Sequence, residues 1–199
     1  MQTAPATSAT PGTRDRIVTT AARLIQRQGY VGTGIKQIAG EARATLGSVY
    51  HFFPGGKEAV AVEALRHSGA EFARFLRETL AREDDAAAAV EACAVRLAEE
   101  LRASGWVDGC PVTAAALETL GTDTDTGIQQ ACADALRGWE ALVAEKLLTC
   151  GFTADDAREL ATTVIGALEG AEVTAQVTRS EEPLRVTGRH LARLLRSYA

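Results

Sequence analysis

The spacing of apolar residues is the feature that most restricts the fold of this chain. Through most of its 199 residues, apolar side chains recur at spacings of three and four, and no stretch sustains an alternation of apolar and polar residues. Alanine, leucine, glutamate and arginine, which favour helices, are abundant, whereas aromatic residues make up only 5%. Glycine, proline and polar turns divide the chain into about nine segments. The sequence therefore predicts an all-α fold of about nine helices.

The first part of the chain predicts three helices. A helix capped by Thr13 and ended by Gly29 is followed by short helices over 34–41 and 45–52, joined by the connection ARA at 42–44. Two short helices held this way by a longer one are typical of a helix-turn-helix, whose second helix enters the DNA major groove. We predict a disordered tail over 1–12 and a helix-turn-helix domain over 13–56.

The rest of the chain, residues 57–199, predicts a larger helical domain. Its helices are expected over 57–82, 86–103, 111–120, 128–150, 154–179 and 183–198. Charge divides the chain at nearly the same place. Residues 1–66 carry eight basic and four acidic side chains, a net +4, and residues 67–199 carry 13 and 22, a net −9. A polyanion is therefore attracted to the first third and repelled by the remainder.

The helix predicted over 45–52 has the features of a DNA-reading helix. Its outer side is slim, which lets its backbone approach base edges, because the residues there are Thr45, Gly47 and Ser48. Val49 points inward as an anchor, while Tyr50 and His51 have the reach to hydrogen-bond phosphate oxygens. The neighbouring Phe52 and Phe53 are interpreted as core residues.

Three residues outside this helix are predicted to hold the DNA backbone. Lys57 stands at the start of the next helix, where free backbone N–H groups and the helix dipole already favour a phosphate. Thr33 and Lys36, at the front of the second helix, can contact the backbone across the groove.

A family resemblance covers about 50 residues of this region. The segment from TRDRIVTTAARLIQRQGY through IKQIA and GSVYHFF to KEA resembles the N-terminal domain of the tetracycline-repressor (TetR) family of bacterial transcription regulators. TGIKQI, FPGGKE and GCPVTAAALE further resemble the LmrA-like branch of that family. The resemblance implies a dimer that binds a palindromic double-stranded operator and releases it when a small molecule enters the C-terminal domain. It implies DNA contacts by Thr33, Lys36, Thr45, Leu46, Ser48, Tyr50, His51 and Lys57.

Two residues depart from the family pattern. Arg43 stands in the turn where the family usually has glycine, and a positive φ there costs on the order of 1 kcal/mol. Two alternatives follow: the turn has a different shape, or a phosphate contact by Arg43 offsets part of this cost. Leu46 stands where lysine is common, and it can touch a thymine methyl group but cannot donate a hydrogen bond.

Residues 57–199 are interpreted as the ligand-binding and dimerisation domain. We expect an apolar, aromatic ligand between the fifth and eighth helices, and the candidate contacts are Trp106, Cys110, Thr113, Leu117, Trp139 and Val164. The two tryptophans also fit a reading as core residues. Cys110 at the start of the sixth helix is a candidate for a thiol with a lowered pKa that senses oxidants.

The last two predicted helices are candidates for a dimer interface. Glycines and alanines at four-residue spacing in the first, and a leucine stripe in the second, suit a four-helix contact between two copies. The residues assigned to it are Gly166, Gly170, Ala171, Leu184, Leu191 and Leu195. Folding of the same pair inward within one monomer is the alternative.

Other functions find little support in the sequence. Motifs such as GxSxG, GxGxxG and HExxH are absent, so we expect no enzyme and no cofactor. The four cysteines lie 17 to 22 residues apart and the three histidines are scattered, so no metal is predicted. The chain lacks a long apolar run and a secretory signal, which favours the cytoplasm and no membrane partner. A helical ligand carrier or interaction protein with a weakened head remains the alternative; a weak dependence of DNA binding on salt would distinguish it.

Overall fold

The computed structural model describes residues 12–121 and 126–198, and within them it contains nine α-helices and no strand. The helices are α1 Thr13–Gln28, α2 Ile35–Glu41, α3 Leu46–Phe52, α4 Gly56–Leu80, α5 Ala86–Ala103, α6 Pro111–Thr119, α7 Thr126–Thr149, α8 Ala154–Thr178 and α9 Glu182–Arg196. The all-α prediction is confirmed, and each helix ends within two residues of its predicted bounds. The tail predicted over 1–12, apart from Gly12, lies outside the described residues.

Side-chain caps define several helix starts. Thr45, Asp85 and Thr153 precede α3, α5 and α8, and each accepts a hydrogen bond from a backbone N–H in the first turn. The prediction that Thr13 caps α1 is wrong. Thr13 lies inside the first turn, where its hydroxyl accepts from the Arg16 guanidinium, and Gly12 precedes the helix without a side-chain cap.

The long helix α4 starts in the head and forms the centre of the body. It packs against α1, α5, α6 and α7. Gly69 permits the close approach to α7, since a Cβ there would lie 3.0 Å from the Cβ of Ala135. The Trp139 indole on α7 is buried and donates a 3.0 Å hydrogen bond to the Gly69 carbonyl, so its one polar group is paired inside the core. The head and the body are thus joined by one continuous, well-packed helix.

The terminal helix α9 packs against α5 of the same chain. Gly188 makes this contact close, because a Cβ there would lie 2.7 Å from the Cβ of Ala94. The leucine stripe of α9 is buried in this contact, and its members are Leu184, Leu191 and Leu195. Their assignment to a dimer interface is therefore wrong, since the helix turns them into its own protomer and leaves no apolar surface of theirs to cover.

A small core holds the three helices of the head together. Ile17, Ile38, Val49 and Phe53 are each 3% exposed or less. Phe52 differs from the prediction, because its ring is 40% exposed on the side of α3 away from this core. The anchor role of Val49 agrees with the structure, and the burial of its side chain fixes which face of α3 points outward.

Within the described residues, no helix is long and apolar enough to cross a membrane.

Candidate DNA-reading head and ligand cavity

The outward face of α3 is narrow at Gly47 and mixes polar with apolar side chains. Leu46, Gly47, Tyr50 and His51 are all exposed there, and Gly47 has only the Thr45 hydroxyl near the place of a missing Cβ. Gly47 and the half-buried Ser48 leave room on this face, which allows close approach to base edges, and Leu46 adds an exposed apolar side chain beside them. The predicted reader residues are therefore brought to one surface.

Two residues at the start of α3 also stabilise the helix. The Thr45 hydroxyl accepts a 3.0 Å hydrogen bond from the backbone N–H of Ser48, and the two hydroxyls lie 2.9 Å apart. Thr45 is exposed and Ser48 is half-buried. These hydrogen bonds hold both side chains in a fixed place at the start of α3. If either hydroxyl contacts a base, it does so while it keeps these bonds or after it gives one of them up.

The turn between α2 and α3 has the strained conformation predicted from Arg43. Its φ is 51°, in the left-handed region, and its N–H bonds the Gly40 carbonyl at 3.1 Å. The backbone N–H of the next residue, Ala44, donates a 2.9 Å hydrogen bond to the Ala39 carbonyl. The Arg43 side chain is exposed, so the turn carries an exposed positive charge just before α3.

Of the three other residues predicted to contact the DNA backbone, two have charged side chains near the surface and one is buried. Lys36 is exposed at the first turn of α2. The Lys57 ammonium lies 4.3 Å from the centre of the Tyr30 ring and donates a 3.3 Å hydrogen bond to the Val31 carbonyl, beside the start of α4. Thr33 is 1% exposed, and its hydroxyl donates to the Gly29 carbonyl at 2.6 Å. The prediction of a DNA contact by the Thr33 side chain is therefore wrong, because this residue closes the connection between α1 and α2 from inside.

The body contains a cavity of about 250 Å³ between α1, α4, α5, α7, α8 and the start of α6. Three aromatic rings form one wall. The Phe72 ring is 4.6 Å from that of Trp139 at 68°, and 5.4 Å from that of Phe75 at 13°. Gln26 of α1 also lines the cavity, so a helix of the head forms part of the lining. A molecule in this cavity contacts both the body and the head.

The candidate ligand residues are only partly brought together. Cys110 and Trp139 line the cavity, and Thr113 lies beside it, where its hydroxyl donates to the Glu169 carboxylate. The other three candidates do not line it, and their assignment is wrong; they are Trp106, Leu117 and Val164. Leu117 is 62% exposed on the outside of α6, whereas Val164 is buried elsewhere along α8.

An acidic cluster in the cavity was not found from the sequence. The Cys110 sulfur and carboxylate oxygens of Glu169 and Glu172 all lie within 4.8 Å of one another. Burial raises the pKa of Glu172 to about 8, with further contributions from the charges of Glu169 and Glu100. Burial likewise raises the pKa of Glu169, against the hydrogen bond from Thr113.

The same surroundings contradict the expected reactivity of Cys110. Its sulfur accepts the Thr113 N–H at 3.5 Å as the cap of α6. Burial nevertheless raises the pKa of Cys110 well above its ordinary value, and the charges of Glu169 and Glu172 raise it further. The thiol is therefore protonated at neutral pH, and the prediction of a lowered pKa is wrong.

Contacts between α1 and α6 join the cavity to the head. Arg27 forms a 2.9 Å ion pair with Asp108, which lines the cavity. At the other end of α6, the Glu118 carboxylate accepts a 3.0 Å hydrogen bond from the Val31 N–H. Val31 is the residue whose carbonyl holds Lys57. We call the Arg27–Asp108 and Glu118–Val31 pairs the α1–α6 contact.

A helix-turn-helix with a slim reading face, carried on a helical body, defines a DNA-binding regulator. Residues 17–64 match the family described as bacterial regulatory proteins of the tetR family, and residues 86–190 match the LmrA/YxaF-like transcriptional regulator C-terminal domain. The chain belongs to the TetR family of bacterial transcriptional regulators, in its LmrA/YxaF-like branch. It is a transcriptional regulator and not an enzyme, which confirms the family resemblance.

Relatives and solved structures agree over most of the chain. The uncharacterized HTH-type transcriptional regulator YxaF of Bacillus subtilis is 31% identical over 92% of this chain and 95% of its own length. The regulator LmrA of the same organism is 32% identical over 86% and 90%. The regulatory protein TetR from Rhodobacter sphaeroides has the same fold, with 24% identity over 91% of this chain and 97% of that chain and a TM-score of 0.78. A cysteine mutant of the regulator CifR, solved with 26 bp of operator DNA, has a TM-score of 0.76 at 23% identity over 96% and 99%.

Proposed function

We propose that the protein is a cytoplasmic repressor that binds a palindromic operator as a homodimer and releases it when a small molecule occupies the cavity. The observation that carries this proposal is the shared lining of the cavity. Gln26 lies on its wall, and Asp108 faces it while holding Arg27 of the same head helix. A molecule that moves either contact acts directly on the orientation of the head.

The reading head divides its work between base edges and phosphates. The first turn of α3 carries Leu46, Gly47 and Ser48 toward the bases, where the methyl groups of Leu46 suit the methyl group of thymine. Tyr50, His51, Lys36 and Arg43 are exposed around this turn and supply hydrogen bonds and charge to the phosphates.

The dimer is supported by an exposed strip on α8. Gly166, Gly170, Val173 and Val177 lie along one face of the helix, and we call them the α8 strip. No atom lies within 4 Å of the place where a Cβ would stand on either glycine, and Val177 is 79% exposed. Ala171, also predicted for the interface, is 7% exposed and lies on the buried side of α8, so it is not part of the exposed strip. A helix of a second copy can approach such a surface closely.

The dimer has a direct test at Gly170. Gly170→Arg places a long charged side chain on the α8 strip without a clash inside the protomer. We expect a folded monomer by sedimentation velocity. The matched control is Gly138→Arg, since Gly138 is an exposed helical glycine on α7 with equally open space, and it should remain dimeric. A dimeric Gly170→Arg protein would remove the α8 strip from the interface.

Release follows from the α1–α6 contact. A ligand that enlarges the cavity displaces Asp108 and the start of α6, and this strains the pairs that hold Arg27 and Val31. The shift reaches α1, the α1–α2 connection and Lys57, so the two heads of a dimer no longer match successive turns of DNA. A ligand that prefers the released form by about 1.4 kcal/mol changes the operator-bound fraction tenfold.

The function is tested by selecting DNA with the purified protein. We expect the duplexes recovered from a random pool to share a two-fold symmetric sequence whose half-sites lie about one helical turn apart. Affinity for that duplex, measured by fluorescence anisotropy, should fall steeply as salt rises. Recovered sequences without symmetry, or binding that salt hardly affects, would contradict the proposal.

Coupling is tested with two arginines on α1. Arg27→Ala breaks the ion pair with Asp108, and Arg23→Ala breaks a comparable pair with Glu41 inside the head. The two side chains are 48% and 49% exposed, which makes them a matched pair. With the compound that best releases the operator in a small-molecule screen, we expect the Arg27 variant to respond more weakly and the Arg23 variant to respond normally. Equal responses would show that coupling bypasses Arg27.

A further inference from the structure

The cavity has an unusual charge for a small-molecule site. Its acidic lining residues are Glu71, Glu100, Asp108 and Glu172. Within the described part of the chain, no lysine, arginine or histidine lines it. A site lined by one sign of charge, with low-dielectric walls, concentrates a molecule of the opposite charge. The lining therefore discriminates against anions.

Three of these carboxylates have basic partners outside the cavity. Asp108 pairs with Arg27 at 2.9 Å, Glu100 lies 3.6 Å from Arg96, and Glu71 lies near Arg74 and His67 on the exposed side of α4. Their charges are largely balanced by the protein itself. These three carboxylates line the cavity but are not the main group that would attract a cation.

Glu172 is different from the other three. It is 8% exposed, and it makes no hydrogen bond or ion pair with any described residue. Its carboxylate nevertheless faces the cavity. A buried carboxyl without a partner is costly, and the space in front of it is where a ligand can supply that partner.

The aromatic wall favours the same kind of ligand. The rings of Phe72, Phe75 and Trp139 line the cavity together with Glu172. Aromatic faces attract cations and suit the methyl groups of substituted ammonium ions. One site thus combines an unpartnered carboxyl with aromatic rings, two groups that recognise a positively charged nitrogen carried on an apolar body.

We propose that the cavity selects an organic cation, in which a positively charged nitrogen lies against Glu172 and an apolar or aromatic body lies against Phe72, Phe75 and Trp139. This inference rests on the proposed function, because it names the chemical class of the molecule that releases the operator. It differs from the apolar, aromatic ligand expected from the sequence by adding a positive charge. The cation replaces the proton on Glu172 and leaves its carboxylate paired.

The proposal fixes the direction of a pH effect. Burial raises the pKa of Glu172 to about 8, and the neighbouring carboxylates of Glu169 and Glu100 contribute to this. The other titratable groups at the cavity are Glu71, Asp108 and Cys110. Below pH 8 a permanent cation must displace a proton, so its affinity should rise by up to about tenfold per pH unit as the pH approaches 8. A neutral ligand has no such dependence.

The test compares two probes of nearly equal shape, phenyltrimethylammonium and tert-butylbenzene. Binding is followed by tryptophan fluorescence, since Trp139 lines the cavity, with EDTA present to remove metal ions. At pH 8.5 we expect the cation to bind at least about tenfold more tightly. Glu172→Gln should abolish this preference, and Glu78→Gln, the same change at an exposed position of α4 outside the cavity lining, should keep it. The comparison of probes and the pH series use the unaltered protein and hold even if Glu172→Gln fails to fold.

The outcomes separate this inference from the proposed function. If tert-butylbenzene binds as well as the cation, or the preference survives Glu172→Gln, the cation proposal is overturned, and release of the operator by neutral compounds would still support a ligand-controlled repressor. If phenyltrimethylammonium binds with the expected pH dependence and leaves the operator complex intact in fluorescence anisotropy, the cation site stands and release by the cavity is contradicted.

Discussion

The buried carboxyl of Glu172 makes the stability of the protein depend on pH, and its replacement by glutamine exposes this dependence. Burial raises the pKa of Glu172 from 4.5 to about 8 in the folded chain. Between these values the folded protein keeps a proton that the unfolded chain releases. The free energy of unfolding therefore falls as the pH rises through this window.

The size of the effect follows from the same two pKa values. Each pH unit between 4.5 and about 8 costs about 1.4 kcal/mol, so the whole window is worth on the order of 5 kcal/mol. This is comparable with the whole net stability of many domains. Glutamine has nearly the same shape and cannot ionise. Glu172→Gln should therefore remove this loss of stability, so that the variant is more stable than the unaltered protein at high pH.

The assay is urea unfolding followed by circular dichroism at pH 5, 6, 7, 8 and 9. The protein concentration is kept fixed because the stability of the proposed dimer would depend on it. We expect the variant to gain stability relative to the unaltered protein at each step toward pH 8 and to gain little more beyond it. Glu71→Gln, on the exposed face of α4, should follow the unaltered protein. The raised pKa values of Glu169 and Glu100 give both proteins a shared slope. Parallel curves for Glu172→Gln and the unaltered protein would refute the reasoning.

Four further substitutions test the head and the packing of the body. Tyr50→Phe should weaken binding to all sequences alike and leave the preferred operator unchanged, because its hydroxyl is assigned to a phosphate. Ser48→Ala should instead change which operator is preferred. Competition between duplexes measures both effects. Val49→Ala should destabilise the head by about 2 kcal/mol, because the side chain is fully buried, and proteolysis of the head would report it. Gly188→Ala should destabilise the contact between α5 and α9 by about 1–3 kcal/mol, since the new Cβ meets Ala94; a lowered Tm would show this.

Helices and turns were predictable because their signals are local. Asp85 and Thr153 mark helix starts through a hydrogen bond to a residue three positions later, and the apolar spacing marks the buried face without knowledge of the partner. The positive φ of Arg43 was one of two alternatives raised by the family resemblance, because the family usually has glycine at this place. The reading face followed from Val49, whose burial fixes the orientation of a helix of only two turns.

The cavity was not predictable because it depends on distant parts of the chain. Cys110 and Glu172 meet where the start of α6 approaches α8, beside the hydrogen bond from Thr113 to Glu169, and no local pattern reports that contact. A signal for Glu172 did exist, since Leu168 and Ala175 place it on the buried face of α8. The leucines of α9 show the opposite problem: their stripe requires a cover, and the sequence alone does not say whether α5 or a second copy provides it.

Gly29 is a position where a single substitution would break the connection between the ligand cavity and the DNA-binding head. The Glu118 carboxylate occupies the space where any side chain at position 29 would begin, and the backbone there has a φ of 75°. A methyl group at this position would displace the flexible Glu118 carboxylate and break its hydrogen bond with the Val31 N–H, while the reading helix and the cavity lining keep their own contacts. Constitutive alleles of this gene should therefore accumulate at codon 29, far from both the ligand and the bases.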